Sequence, residues 1–148
     1  MIKEQLYRKC LDILNERIER YRTEINIIKE SVENEDKTKG DEDEGSSGSG
    51  YGSNFTKILE YLDEANKLKS KLKQVDIFQS NEVVKQGSLV ECSNGNFFLS
   101  IPLGKITLDN TTYFAISKEA PVGQLLIDKK VGESISFNNN TFKIIKIY

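Results

Sequence analysis

Apolar or amphipathic side chains recur at Leu11, Leu14, Ile18, Tyr21, Ile25, Ile28 and Val32, in alternating steps of three and four residues. That spacing is the seam of a coiled coil, and the intervening Asn15, Glu16, Arg17, Glu19, Arg20 and Arg22 supply the solvated face such a helix needs. Neither Pro nor Gly interrupts the chain before Gly40. A second seam follows at Ile58, Tyr61, Ala65, Leu68, Leu72 and Val75. Two seams of similar length joined by a loop predict an antiparallel intramolecular hairpin, whereas a parallel dimer of single helices would leave the second seam unexplained. A first helix from about Lys3 to Glu35 would be about 50 Å long at 1.5 Å per residue.

After Asp76 the period changes. Short runs rich in Val, Ile, Phe and Thr are separated by turn residues: GSLVECS and NFFLSI around Asn94-Gly95, KITL and TTYFAIS around Asp109-Asn110, ESISF and TFKIIKIY around Asn138 to Asn140. These are three hairpin signals, and Asn94-Gly95 in particular predicts a type I′ turn, whose positive φ angles match the twist of the flanking strands. The aromatic residues Phe97, Phe98, Tyr113, Phe114, Phe137 and Phe142 are expected mostly in the core of that sheet. Between the second and third hairpins, SKEAPVGQLLIDKKVGE predicts one short helix, capped by Ser117 and facing a sheet with Leu125, Leu126 and Ile127. The fold class is therefore α+β: residues 1–76 form an antiparallel coiled-coil hairpin with a tip loop at about 36–53, and residues 77–148 form a small antiparallel sheet domain with one short helix.

Charge sharpens the picture only when it is divided along the chain. The formal net charge is −2, yet residues 33–53 alone carry 7 acidic and 2 basic groups. The excess acid is concentrated in GDEDEGSSGSGYG, residues 40–52, at the expected tip of the hairpin. No broad basic surface exists for capture of a nucleic-acid backbone. Histidine is absent, which leaves chemistry to carboxylates, lysines or a metal held by oxygen. Cys10 and Cys92 lie in segments of different character and read as buried free thiols rather than a disulfide framework. No stretch reaches the roughly 18–20 apolar residues of a membrane span, and the charged MIKEQLYRKC start differs from a secretory signal, so a cytoplasmic location is expected.

The acidic tip has three readings. A solvated Gly/Ser loop is one. A calcium loop framed on Asp41 fails, because Gly45, Ser46 and Gly52 fall where the EF-hand pattern wants an oxygen ligand, a glycine and a bidentate glutamate. The third is a metal-presenting tip: Mg²⁺ usually takes one or two protein carboxylates and keeps its other positions for water and phosphate. Carboxylates about 6 Å apart in water repel by only about 0.7 kcal/mol per pair, so the cluster is tolerable when exposed and favourable around a divalent ion.

The combination of hairpin, acidic tip and small sheet domain resembles the Gre family of bacterial transcript-cleavage factors. The stretch ISKEAPVGQLLIDKKVGESISFNNNTFKIIKIY looks like that family's C-terminal pattern of an I-S strand end, an S-P-[IV] turn, a short helix ending in L-[IL]-x-K and a last strand close to I-x-x-[IV]. Gly40, Asp41 and Glu44 supply its tip motif G-D-x-x-E. The resemblance implies an FKBP-like sheet domain without isomerase activity that docks at the rim of the secondary channel of RNA polymerase. It further implies a hairpin that enters the channel, and a monomer with no membrane association and no stably bound cofactor. Asp41 and Glu44 would then be the tip acids that direct the polymerase's second Mg²⁺ and its attacking water, with Glu42 and Asp43 beside them. The factor itself is no enzyme: the polymerase cleaves the extruded 3′ end of a backtracked RNA, which the tip contacts only indirectly. The turn Ala120, Pro121, Val122 would belong to the docking surface.

The chain departs from the family pattern in two places. The E-N-A-E-Y that follows the tip motif is replaced by GSSGSGYGSNF, which reads as a flexible insert up to about Asn54, and the serine of the S-P turn is Ala120. A non-catalytic channel-binding regulator, and a coiled-coil module unrelated to polymerase, are therefore the alternative functions.

Overall fold

The computed structural model describes residues 1–39 and 52–148. Two long helices come first, α1 at Ile2–Lys39 and α2 at Gly52–Lys73. The first helix runs past the expected Glu35, consistent with the absence of Gly or Pro before Gly40. Six strands and one short helix follow: β1 Leu89–Cys92, β2 Gly95–Leu99, β3 Gly104–Leu108, β4 Thr111–Ile116, α3 Pro121–Leu126, β5 Ser134–Phe137 and β6 Asn140–Ile147. The chain divides into two compact units, Ile13–Lys69, and Met1–Asp12 together with Ser70–Tyr148. Periodicity marks residue 77 as the change from helix to sheet, whereas compactness groups the first turns of α1 and the end of α2 with the sheet.

In the unit Ile13–Lys69 the helices pair antiparallel. The rings of Tyr21 and Tyr61 lie 5.9 Å apart and tilted by 42°, and Glu24, Ile27 and Ile28 share a groove with Asn54, Lys57 and Ile58, so later residues of α1 meet earlier residues of α2. Leu14, Ile18, Ile25 and Ala65 form the buried seam. The second seam keeps the expected Ile58, Ala65, Leu68, Leu72 and Val75 and differs at one position. Tyr61 is 47% exposed, while Leu62 is half-buried. Tyr61 and Leu62 both offer apolar surface at this turn, and burying the aliphatic Leu62 leaves Tyr61 largely in water while its ring still lies beside Tyr21.

In the other unit the six strands form one sheet of order β3-β4-β2-β1-β6-β5. All three expected hairpins are present, but the sheet is mixed rather than wholly antiparallel, because β2 and β4 pair in parallel. The chain leaving β2 goes to the edge strand β3 before returning as β4 between them. The first turn also differs from its expectation. Cys92 pairs with Gly95, so the turn residues are Ser93 and Asn94, and neither Asn94 nor Gly95 has positive φ. This turn is tied to β6 instead: Asn94 Nδ2 donates to Thr141 O (2.7 Å) and the Ser93 amide to Lys143 O (2.9 Å). The left-handed pairs lie at Asp109-Asn110 (φ 50° and 65°) and Asn138-Asn139 (φ 52° and 66°), where short polar side chains tolerate that region.

The strands are covered on both faces. Val90, Cys92, Phe97, Leu99, Ile135 and Ile144 form one core with Leu126 of α3. The opposite face carries the cross-strand pair Leu89 and Phe98, with Ala115, Tyr113 and Ile106, all buried, and Ile2 of α1 lines a cavity over it. Leu6, Cys10 and Leu72 in the same unit are fully buried. Of the six strand aromatics, Phe97, Phe98 and Tyr113 are buried, Phe137 and Phe142 half-buried, and Phe114 is 38% exposed. Phe114 still lies 6.0 Å from the Phe97 ring. Lys3 is buried too, and its ammonium donates to Gln79 O at 2.9 Å.

Candidate functional site

The tip acids Asp41, Glu42, Asp43 and Glu44 lie outside the described residues, as does the insert up to Tyr51. Among the described residues no group of three or more His, Cys, Asp or Glu side chains is placed to hold a metal ion. The candidate docking turn is fully described.

Residues Ser117 to Val122 join the end of β4 to α3. Ser117 was expected to cap the helix; it instead closes a turn ahead of it, its Oγ accepting the Glu119 amide (3.0 Å) and donating to Glu119 Oε2 (2.9 Å). The cap position falls to Ala120, which has extended backbone (φ −63°, ψ 154°) and no side chain able to accept a hydrogen bond. Two features of the sequence compensate. Pro121 at the first helical position has no N–H to satisfy and brings its φ ready-made, and Gln124 Nε2 reaches back to Glu119 O at 3.1 Å. Pro121 is exposed and Ala120 half-buried, whereas Val122 packs against the core cluster. Of the expected trio, Leu126 is buried and Ile127 packs half-buried against the same core, whereas Leu125 is 38% exposed.

Gly123 fixes how closely α3 approaches the strand end. A Cβ there would overlap the Ser117 carbonyl oxygen and lie 3.0 Å from Lys118 Cα. The turn is thereby held against the sheet, with Pro121 at its outer surface.

Beside the turn lies a cavity of about 370 Å³ lined by Lys71, Gln86, Ser100, Ser117, Lys118 and Glu119. The Glu119 carboxyl is held below its ordinary value, first by the Ser117 hydroxyl, then by its own backbone amide, with Lys118 and Lys71 adding to the effect. Gln86 Nε2 donates to Ser100 O (3.3 Å), and its Oε1 is buried without a partner. No sequence motif marked this surface, because its residues come from four separate stretches of chain.

The cysteines are both free and buried. Burial pushes the Cys10 thiol up to about 12 and the Cys92 thiol up to about 11, so neither is a thiolate nucleophile near neutral pH. Among the described residues no helix is long and apolar enough to cross a membrane.

Compared with known proteins, the chain matches no family model and no curated protein.

Proposed function

We propose that this chain is a secondary-channel factor of RNA polymerase of the Gre type, which stimulates the polymerase's own Mg²⁺-dependent cleavage of backtracked RNA. The observation that carries the reading is the pairing of α1 with α2 as an antiparallel hairpin whose connection is residues 40–51, the segment that holds G-D-x-x-E and most of the chain's excess acid. A two-metal phosphoryl site needs carboxylates and no histidine, and a two-helix rod is a means of delivering them into a recessed centre. Asp41 and Glu44 would complete the shell of an Mg²⁺ already held in part by the polymerase, and the turn at Ala120 and Pro121 would contact the channel rim.

One feature favours a second reading. Glu44 is followed directly by GSSGSGYG, a composition that pre-organises nothing, and positioned groups lose much of their advantage without pre-organisation. A factor of this kind would occupy the channel and alter transcription without shortening RNA.

Stalled elongation complexes separate the two. The wild-type chain is expected to shorten the RNA in a backtracked complex, and the double substitution Asp41→Ala, Glu44→Ala to abolish that shortening while polymerase capture persists. Equal cleavage by the double variant would remove the catalytic role; capture without cleavage by the wild type would favour the second reading; failure to capture polymerase would sink both.

A further inference from the structure

Over the face of the sheet that carries Leu89 and Phe98 lies a cavity of about 230 Å³, lined by Glu91, Asn96, Thr111, Tyr113 and Tyr148, with Ile2 of α1 as its apolar wall. Its polar groups are brought together by strand pairing alone: Glu91 stands opposite Asn96 across β1 and β2, and opposite Lys146 across β1 and β6.

The register of Glu91 and Lys146 suits a cross-strand ion pair, but none forms. Lys146 Nζ lies instead over the Tyr148 ring, 4.6 Å from its centroid, and Glu91 Oε2 accepts the Tyr148 hydroxyl at 3.0 Å. The carboxylate thus lines the cavity without a cationic partner. Asn96 donates one of its Nδ2 hydrogens to Thr112 O (3.2 Å), which fixes the amide and leaves its oxygen free to accept. No lining side chain is cationic. The wall is therefore rich in acceptors, carries one formal negative charge and includes two phenol rings.

We propose that this cavity binds a small organic cation, a primary ammonium or a guanidinium on a short aliphatic stem. The cationic N–H groups meet the Glu91 carboxylate and the Asn96 amide oxygen. The stem packs on Ile2 and Leu89, with Tyr113 beside it. Each part answers a property of the wall: charge-assisted hydrogen bonds are about twice as strong as neutral ones, and an aliphatic stem gains by leaving water for an apolar wall. An anion or a metal ion fits less well. The first meets a carboxylate, and the second finds a single charged ligand among neutral oxygens. None of the tip or turn residues assigned to polymerase lines this cavity.

Titration of the full chain with butylguanidinium, followed by amide chemical shifts, is expected to give saturable changes at Glu91, Asn96 and Tyr148. Its neutral counterpart butylurea should give none at the same concentration. Glu91→Gln keeps the shape and an acceptor for Tyr148, and should weaken binding about tenfold, the loss of one hydrogen bond to a charged group. A blocked Gly-Arg-Gly peptide distinguishes the source of the cation: binding as tight as butylguanidinium indicates an arginine of a partner protein, and weaker binding a free small molecule. Absence of saturation with butylguanidinium, equal response to butylurea, or unchanged affinity in Glu91→Gln would each overturn the proposal, and polymerase capture would be unaffected by any of them.

Discussion

The buried ammonium of Lys3 donates to the carbonyl oxygen of Gln79 at 2.9 Å, joining the first turn of α1 to the segment that follows α2. Burial lowers the Lys3 pKa below its ordinary 10.5, with the Asp76 carboxylate acting in the opposite direction. Between that lowered value and 10.5 the unfolded chain binds more protons than the folded one, so folding stability from this group rises with pH through the window. The neutral amine still donates to Gln79. Urea unfolding of the wild type and Lys3→Met across alkaline pH should show the difference moving in favour of the wild type as pH rises; a difference that stays flat would contradict the burial argument.

Gly123→Ala should destabilise the unit that contains the sheet by about 1–3 kcal/mol, the usual cost of forcing an extra methyl into packed structure. The added Cβ collides with the Ser117 carbonyl and the Lys118 backbone rather than with a side chain that can swing away. Denaturant midpoints at unchanged slope would measure it. Gly123→Ala is also expected to displace the Pro121 turn, so its polymerase capture should weaken more than that of Lys146→Ala.

The turn Asn138-Asn139 holds both residues at positive φ, where a side chain with a Cβ costs about 1–2 kcal/mol and asparagine less. Asn139→Ala should therefore lose about 1 kcal/mol, and Asn139→Gly should gain a few tenths to about 1 kcal/mol. Thermal unfolding of the two variants should bracket the wild type. The same substitutions at Asn94, which has ordinary φ, should show no such ordering.

With thiol values near 12 and 11, Cys10 and Cys92 should remain unreactive toward an aromatic disulfide reagent at pH 8 and both react once the chain is unfolded. Fast labelling of native Cys10, which is fully buried, would mean that the first turns of α1 open readily.

Much of the fold was legible because local chemistry specified it. Heptad spacing marked both helices, and the pairs Asp109-Asn110 and Asn138-Asn139 marked two hairpins through residues that accept positive φ. What escaped has a common cause, namely that alternation within a strand fixes its faces but not its neighbours. The parallel pairing of β2 with β4 is a non-local choice, and Phe98 reads as a buried strand residue whichever strand lies beside it. One seam position of α2 was ambiguous because the adjacent Tyr61 and Leu62 both offer apolar surface. At the site, a run of four acids is visible in any reading, whereas Glu91 and Tyr148 are 57 positions apart and meet only through the β1 and β6 pairing.

The division into units has a consequence during synthesis. The hairpin Ile13–Lys69 interrupts the unit made of Met1–Asp12 and Ser70–Tyr148, so its own residues are all translated well before β6, the strand that pairs both β5 and β1. At roughly 5–20 residues per second, the 79 residues from Ser70 to Tyr148 occupy the ribosome for about 4–16 s. Leu6 and Cys10, fully buried in the finished protein, belong to the unit that is completed only at the end of that interval. A nascent chain therefore holds apolar side chains of an incomplete unit, the kind of surface chaperones take up, for seconds after residues 13–69 have been made.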